Sequence, residues 1–170
     1  MLSETAREAI GRMTMVLRII VLALAMGVLA FAAFVAVQNA GKPQNVGTNV
    51  HYLGLALSVP MLLAAFIVPR LISKTMPVLP TGQQSADPEV AAAMGIFAAI
   101  QTSTIIGCAI LEGTAFLNLV LYMINVELVH AAIAAFCVIL ILAQFPVNSR
   151  IEQRIEDQLR RQREERYLAK

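Results

Sequence analysis

A chain of 170 residues that is 58% hydrophobic and only 14% charged, where soluble domains carry about 25% charged residues, is too apolar for a soluble globular protein. Its net charge of +2 is small, and the basic residues alternate with Glu and Asp with almost no aromatic neighbours, which argues against nucleic-acid binding. Cys108 and Cys137 both fall inside apolar runs, where they read as small packing residues and not as a disulfide or a metal clip.

The segment from Ser3 to Ile10 has Ser3 as a helix cap and an acid in its first turn, which predicts a short helix lying at the membrane surface. Four apolar segments follow, about residues 15–37, 52–68, 101–124 and 128–145, and each approaches the ~20 residues that cross a ~30 Å hydrocarbon layer. The first is longer than the roughly 7–15 apolar residues of a secretory signal and is expected to be a retained anchor. Gly41, Pro43 and Gly47 make the loop after it turn-rich. In the second segment, Pro60 frees the Ala56 carbonyl and predicts a kink, and Pro69 is expected to end the helix beside Arg70.

Pro77, Pro80 and Gly82 break up the central loop, and Asp87-Pro88-Glu89 then has the form of a helix start. From Pro88 to Ile124 that helix would run ~55 Å, so its first turns must protrude from the bilayer. The fourth segment ends at Pro146, and Asn148 or Ser149 can cap a last charged helix over 150–168 with Arg160 and Glu164 at i,i+4. Its stripe of Ile151, Ile155 and Leu159 is narrow, which leaves two readings open: a solvated helix, or one packed on a partner or on its own copy.

Of the 13 Lys and Arg residues, all but Lys42 fall before the first segment's core, after the second, or after the fourth, which predicts cytoplasmic termini and a cytoplasmic central loop. The expected fold is therefore an all-α membrane bundle of four transmembrane helices over residues 1–146, with a cytoplasmic charged helix over 147–170. Ile19 to Gly27 aligns without gaps to Ile105 to Gly113, with Met26 opposite Glu112. The second and fourth segments both open on Val-His and close on a proline. Together these suggest a tandem duplication of one helical hairpin.

Glu112 is the only acid well inside the apolar segments, and an ionised carboxylate there costs at least ~2.5 kcal/mol. Residues three, four, seven, eight and eleven positions back, Ala109, Cys108, Ile105, Thr104 and Gln101, share its helical face. An ion or proton site would use Glu112 with Gln101, Thr104, Cys108 and Ser58. A structural role would instead tie two helices, through Ser58 or the carbonyl freed by Pro60. Asn118 lies off this face and reads as interhelical glue. His51, Glu127 and His130 cluster near the outer ends of their segments and are the only candidate metal or haem ligands, without a supporting spacing motif. Arg18 is expected to snorkel to the headgroups.

The run from Ile106 through Glu112-Gly113 to Tyr122 resembles the carboxylate-bearing helix of the proteolipid rotor subunit of ATP synthases. That resemblance implies an exchanging carboxylate at Glu112 with further ion ligands on the side of Gln101 and Thr104. It covers about a tenth of the chain, the family's glycine-repeat helix is missing, and a rotor-ring role is not expected. The overall plan is similar to small, uncharacterised bacterial four-span proteins with an acidic element in the third span, which implies a bacterial inner membrane. The leading expectation is a non-enzymatic membrane protein of structural, assembly or interaction role, without cofactor, acting in the lipid bilayer as a homo-oligomer or a subunit of a complex. The alternative is a proton- or cation-linked component. No nucleophile and base accompany each other in the sequence, so an enzyme is not expected.

Overall fold

The computed structural model describes residues 4–43, 49–75 and 88–168, and its regular structure there is entirely helical. The helices are α1 (Glu4–Asn39), α2 (Asn49–Thr75), α3 (Pro88–Asn125), α4 (Leu128–Ala143) and α5 (Asn148–Leu168). Three of them are long and apolar enough to cross a membrane, or up to four if α4 and α5, bent by 64° at their junction, count as one span. With 16 residues, α4 reaches only ~24 Å, less than a ~30 Å hydrocarbon layer. The expectations at Ser3, Gly47, Pro77, Pro80, Gly82 and Asp87 lie outside the described residues. Pro88 does open α3, where its missing N–H would have no intrahelical partner anyway.

The helix α3 is the centre of the bundle and packs against α1, α2 and α4 along its length and against α5 near its start. Two cores result. The larger one joins Leu17, Val21, Ala25 and Val28 of α1 to Cys108, Leu111, Ala115 and Leu119 of α3 and to Ala134, Cys137 and Ile141 of α4. The second joins Ala6 and Ile10 of α1, Ala93, Ile96 and Phe97 of α3, and Ile151 and Ile155 of α5.

This second core corrects two expectations. The N-terminal segment is not a separate surface helix, because Ala6, Ile10, Thr14, Leu17, Val21, Ala25 and Val28 form one unbroken buried stripe along α1 at helical spacing. No proline interrupts it, and Thr14 spends its hydroxyl on the Ile10 carbonyl at 2.8 Å. Nor is α5 solvated all round, since Ile151 and Ile155 are buried against this chain's own α1 and α3. Its exposed face carries the expected Arg160–Glu164 pair at 3.0 Å.

Pro69 does not end α2, which continues to Thr75. The neighbouring helix accommodates the ring: a Cβ at Gly107 of α3 would lie 3.2 Å from Pro69 Cγ and 3.6 Å from the Ala65 carbonyl oxygen, which the proline leaves without its usual donor. Arg18 does not snorkel. Its Nε donates to the Pro146 carbonyl and its Nη2 to Asn148 Oδ1, both at 3.0 Å, with the guanidinium 5.7 Å from the Phe145 ring centre. It thus holds the bend between α4 and α5.

The turn between α3 and α4 needs only Val126 and Glu127. Val126 adopts φ 54°, and its N–H donates to the Tyr122 carbonyl at 2.8 Å, a left-handed helix stop normally built with glycine. For a β-branched residue that conformation costs about 1–2 kcal/mol. Val126→Gly is therefore expected to leave stability within about 1 kcal/mol of the parent, because relieved strain offsets the lost burial. Val35→Gly, with no strain to relieve, should lose substantially more, and unfolding in a sodium dodecyl sulfate titration followed by circular dichroism compares the two.

Candidate functional site

Three neighbours surround α3, so its core-facing row is Cys108, Leu111, Thr114, Ala115 and Asn118, all fully buried. Glu112 is one step around the helix from Leu111 and is only half-buried, toward α1. Its Oε1 lies 3.6 Å from where a Cβ would stand on Gly27, so the glycine leaves the carboxyl room against α1. One turn on, Phe116 meets Phe31 with ring centres 5.3 Å apart. Small exposed residues flank the carboxyl, Ala23, Gly27 and Ala30 on α1 and Ala109 and Gly113 on α3. Among the described residues no hydrogen bond or ion pair engages Glu112.

The other members of the sequence-derived set are not gathered around it. Ser58 donates to the Gly54 carbonyl at 2.7 Å and accepts from Asn118 Nδ2 at 2.8 Å, so it does not tie Glu112 to α2. Cys108 turns inward, its Sγ 3.7 Å from Gln144 Oε1. Thr104 returns its hydroxyl to the Ile100 carbonyl at 2.9 Å and lines a cavity near the α4–α5 bend. Gln101 is half-buried a further turn toward the start of α3. Among the described residues, therefore, no cage of ligands forms around Glu112.

The second polar assembly is internal, and the sequence showed only its parts. Asn118, fully buried, donates from Nδ2 to Ser58 Oγ of α2 and to its own Thr114 carbonyl, and its Oδ1 lies 3.0 Å from His130 Nδ1 of α4. With the amide nitrogen committed to two acceptors, Oδ1 can only accept, so His130 carries its proton on Nδ1. The opposite ring nitrogen faces Glu127 Oε2 at 3.8 Å. Gly54 makes this convergence possible, because a Cβ there would fall 2.6 Å from His130 Cε1 and 2.5 Å from Leu121 Cδ1. Asn118 thus joins α2, α3 and α4, as its position off the Glu112 face implied.

No known protein family, curated protein or solved structure matches this chain. Its chemistry must be read from the side chains alone.

His130, in the first turn of α4, is 0% exposed, so it is buried within the bundle. The side chain of His51, its proposed partner in ligation, lies outside the described residues. Among the described residues no group of three His, Cys, Asp or Glu side chains converges as a metal site would require. The hydrogen-bonded chain from Ser58 through Asn118 to His130 has the form of a clamp that fixes three helices in register.

Proposed function

We propose that this chain is a non-enzymatic multi-pass membrane protein that assembles with a second copy of itself through the outer face of α1 and α3, with Glu112 at the centre of the contact. The supporting observation is the position of that carboxyl: half-buried at the bundle surface, against Gly27, with no partner among the described residues. Acids at membrane depth face a bundle interior or pair with another polar group, and an unpaired one at the surface calls for a partner from outside the chain. The small residues around it allow close helix approach. In a two-fold contact the two Glu112 carboxyls meet in their protonated form, each donating its proton to the other, so two hydrogen bonds form.

In this proposal both termini and the loop between α2 and α3 are cytoplasmic, a reading supported by the distribution of Lys and Arg. The packing of α1 beside α3, Gly27 by Glu112 and Phe31 by Phe116, is within one residue of the offset at which the two segments align. That parallel register supports a tandem hairpin duplication.

The test is the dimer fraction in liposomes, read by fluorescence energy transfer between labelled copies. Two interhelical hydrogen bonds at roughly 0.6–1.7 kcal/mol each predict that Glu112→Leu weakens association about tenfold or more. Because the carboxyl makes no hydrogen bond or ion pair among the described residues, the same substitution should leave monomer unfolding in detergent unchanged. Lowered monomer stability with intact association would defeat the proposal.

A second reading, a proton- or cation-linked component, draws support from the same exposure and from the rotor-subunit resemblance over residues 106–122. It predicts labelling of Glu112 by dicyclohexylcarbodiimide that depends on pH or cation, and loss of ion flux in Glu112→Gln with the dimer intact. Labelling indifferent to both conditions would remove it.

A further inference from the structure

At the opposite end of the bundle from the α3–α4 turn, a cavity of about 500 Å³ opens where α2, α3 and the bend between α4 and α5 converge. Its volume is in the range of small-ligand sites. Three arginines line it, Arg70 of α2 and Arg150 and Arg154 of α5, together with Thr104 and Gln144, and none of its described lining residues is acidic. The rest of the wall includes Leu17, Pro69 and Phe145, so one part is cationic and another apolar.

The placement of the α5 arginines is unusual for a helix that carries Glu152, Glu156 and Asp157. Arg150, Arg154 and Gln158 stack at i,i+4 on the cavity side, so the two guanidiniums are like-charged neighbours, an arrangement that disfavours the helix unless an anion sits between them. Among the described residues neither makes an ion pair. The depth also fits. Thr104 and Ile100, which line the cavity, lie about 12 and 18 Å along α3 from Glu112, bracketing half of a ~30 Å hydrocarbon layer centred on it.

We propose that this cavity binds the phosphate group of an anionic ligand, the guanidiniums of Arg150 and Arg154 engaging its oxygens and the apolar wall taking up adjoining hydrocarbon. Planar guanidiniums match phosphate oxygens bidentately, and basic pockets between helices at headgroup depth suit acidic lipids. The shared chemistry is a phosphate mono- or diester; its source is either a lipid headgroup or a soluble phosphate.

The experiment uses the full chain purified in a non-ionic detergent. Its thermal unfolding is followed with added dioleoyl phosphatidylglycerol, with dioleoyl phosphatidylcholine, and with inorganic phosphate, and bound lipid is read by native mass spectrometry. Phosphatidylglycerol is expected to raise the midpoint and remain bound while phosphatidylcholine does neither. Arg150→Gln/Arg154→Gln, two exposed positions, should weaken that binding roughly tenfold or more, while the ligand-free midpoint does not fall, because the substitution relieves their like-charge contact. Arg150→Lys/Arg154→Lys, which keeps the charge but loses the fork, should fall between. A response to inorganic phosphate alone, abolished by the same double substitution, would support the phosphate site and assign it to a soluble ligand. Equal retention of both lipids, or binding indifferent to the double substitution, would overturn the proposal.

Discussion

Gly54→Val is expected to break the association of α2 with the rest of the bundle. Even the first carbon of a side chain there would stand 2.5–2.6 Å from Leu121 Cδ1 and His130 Cε1, closer than carbon atoms approach, and valine adds two more. Overpacking a fitted interface costs roughly 1–3 kcal/mol. At this position the displacement also reaches the clamp: if the His130 ring shifts, its 3.0 Å contact with Asn118 is lost, and the amide can no longer satisfy both α2 and α4. An unsatisfied buried polar group adds about 1–3 kcal/mol in water-soluble proteins, and measured values between membrane helices are nearer 0.6–1.7. The combined loss should fall around 2–4 kcal/mol. Unfolding in a sodium dodecyl sulfate titration checks it, and Gly113→Val, at a position with nothing within 4 Å, is the control expected to fold like the parent. If both glycines tolerate valine equally, the clamp is not a point of close approach.

The apolar segments and Pro88 made the long apolar helices readable from the sequence, because hydrophobic length and helix starts are local properties. What escaped was set by contacts between segments far apart in the chain. The stripe Ile151, Ile155 and Leu159 was visible, but its partner was not, since nothing local shows that α1 begins early enough and α3 protrudes far enough to meet it. Pro69 read as a stop because the accommodation at Gly107 belongs to another helix. Arg18 read as snorkelling because the carbonyl it binds is exposed only by the bend at Pro146, 128 residues on.

The site divides in the same way. Helical spacing placed Asn118 off the Glu112 face, and the structure puts it in the core. The same spacing grouped Cys108 and Thr104 with Glu112, yet α3 has neighbours on three sides, so residues one turn apart on a face meet different partners. A face argument assumes that one side of a helix has one environment, which fails for the central helix of a bundle. The convergence of three arginines on one cavity had no signature in the sequence, because Arg70 comes from α2 and the other two from α5.

Phe97→Ala is expected to have the largest effect on stability, and the reason lies in where the second core sits. Phe97 is fully buried among Ala6, Ile10, Ile151 and Ile155, about 22 Å along α3 from Glu112. If Glu112 marks the bilayer centre, as the proposed contact between copies requires, that is beyond the ~15 Å half-thickness of the hydrocarbon. Unfolding at that depth exposes apolar surface to water, so truncation loses transfer free energy and leaves a cavity, together about 3–5 kcal/mol. Leu111→Ala, equally buried in the larger core, exposes its surroundings only to lipid tails as apolar as itself and loses packing alone, so it should cost less. The Phe97 defect should also be local. With few of its residues apolar, α5 depends on Ile151 and Ile155 for its hold on α1 and α3, and hydrogen exchange should show its amides losing protection while those of the larger core keep theirs. Equal losses from Phe97→Ala and Leu111→Ala, spread over the whole bundle, would mean that both cores share one environment and that the first turns of α1 and α3 do not stand in water.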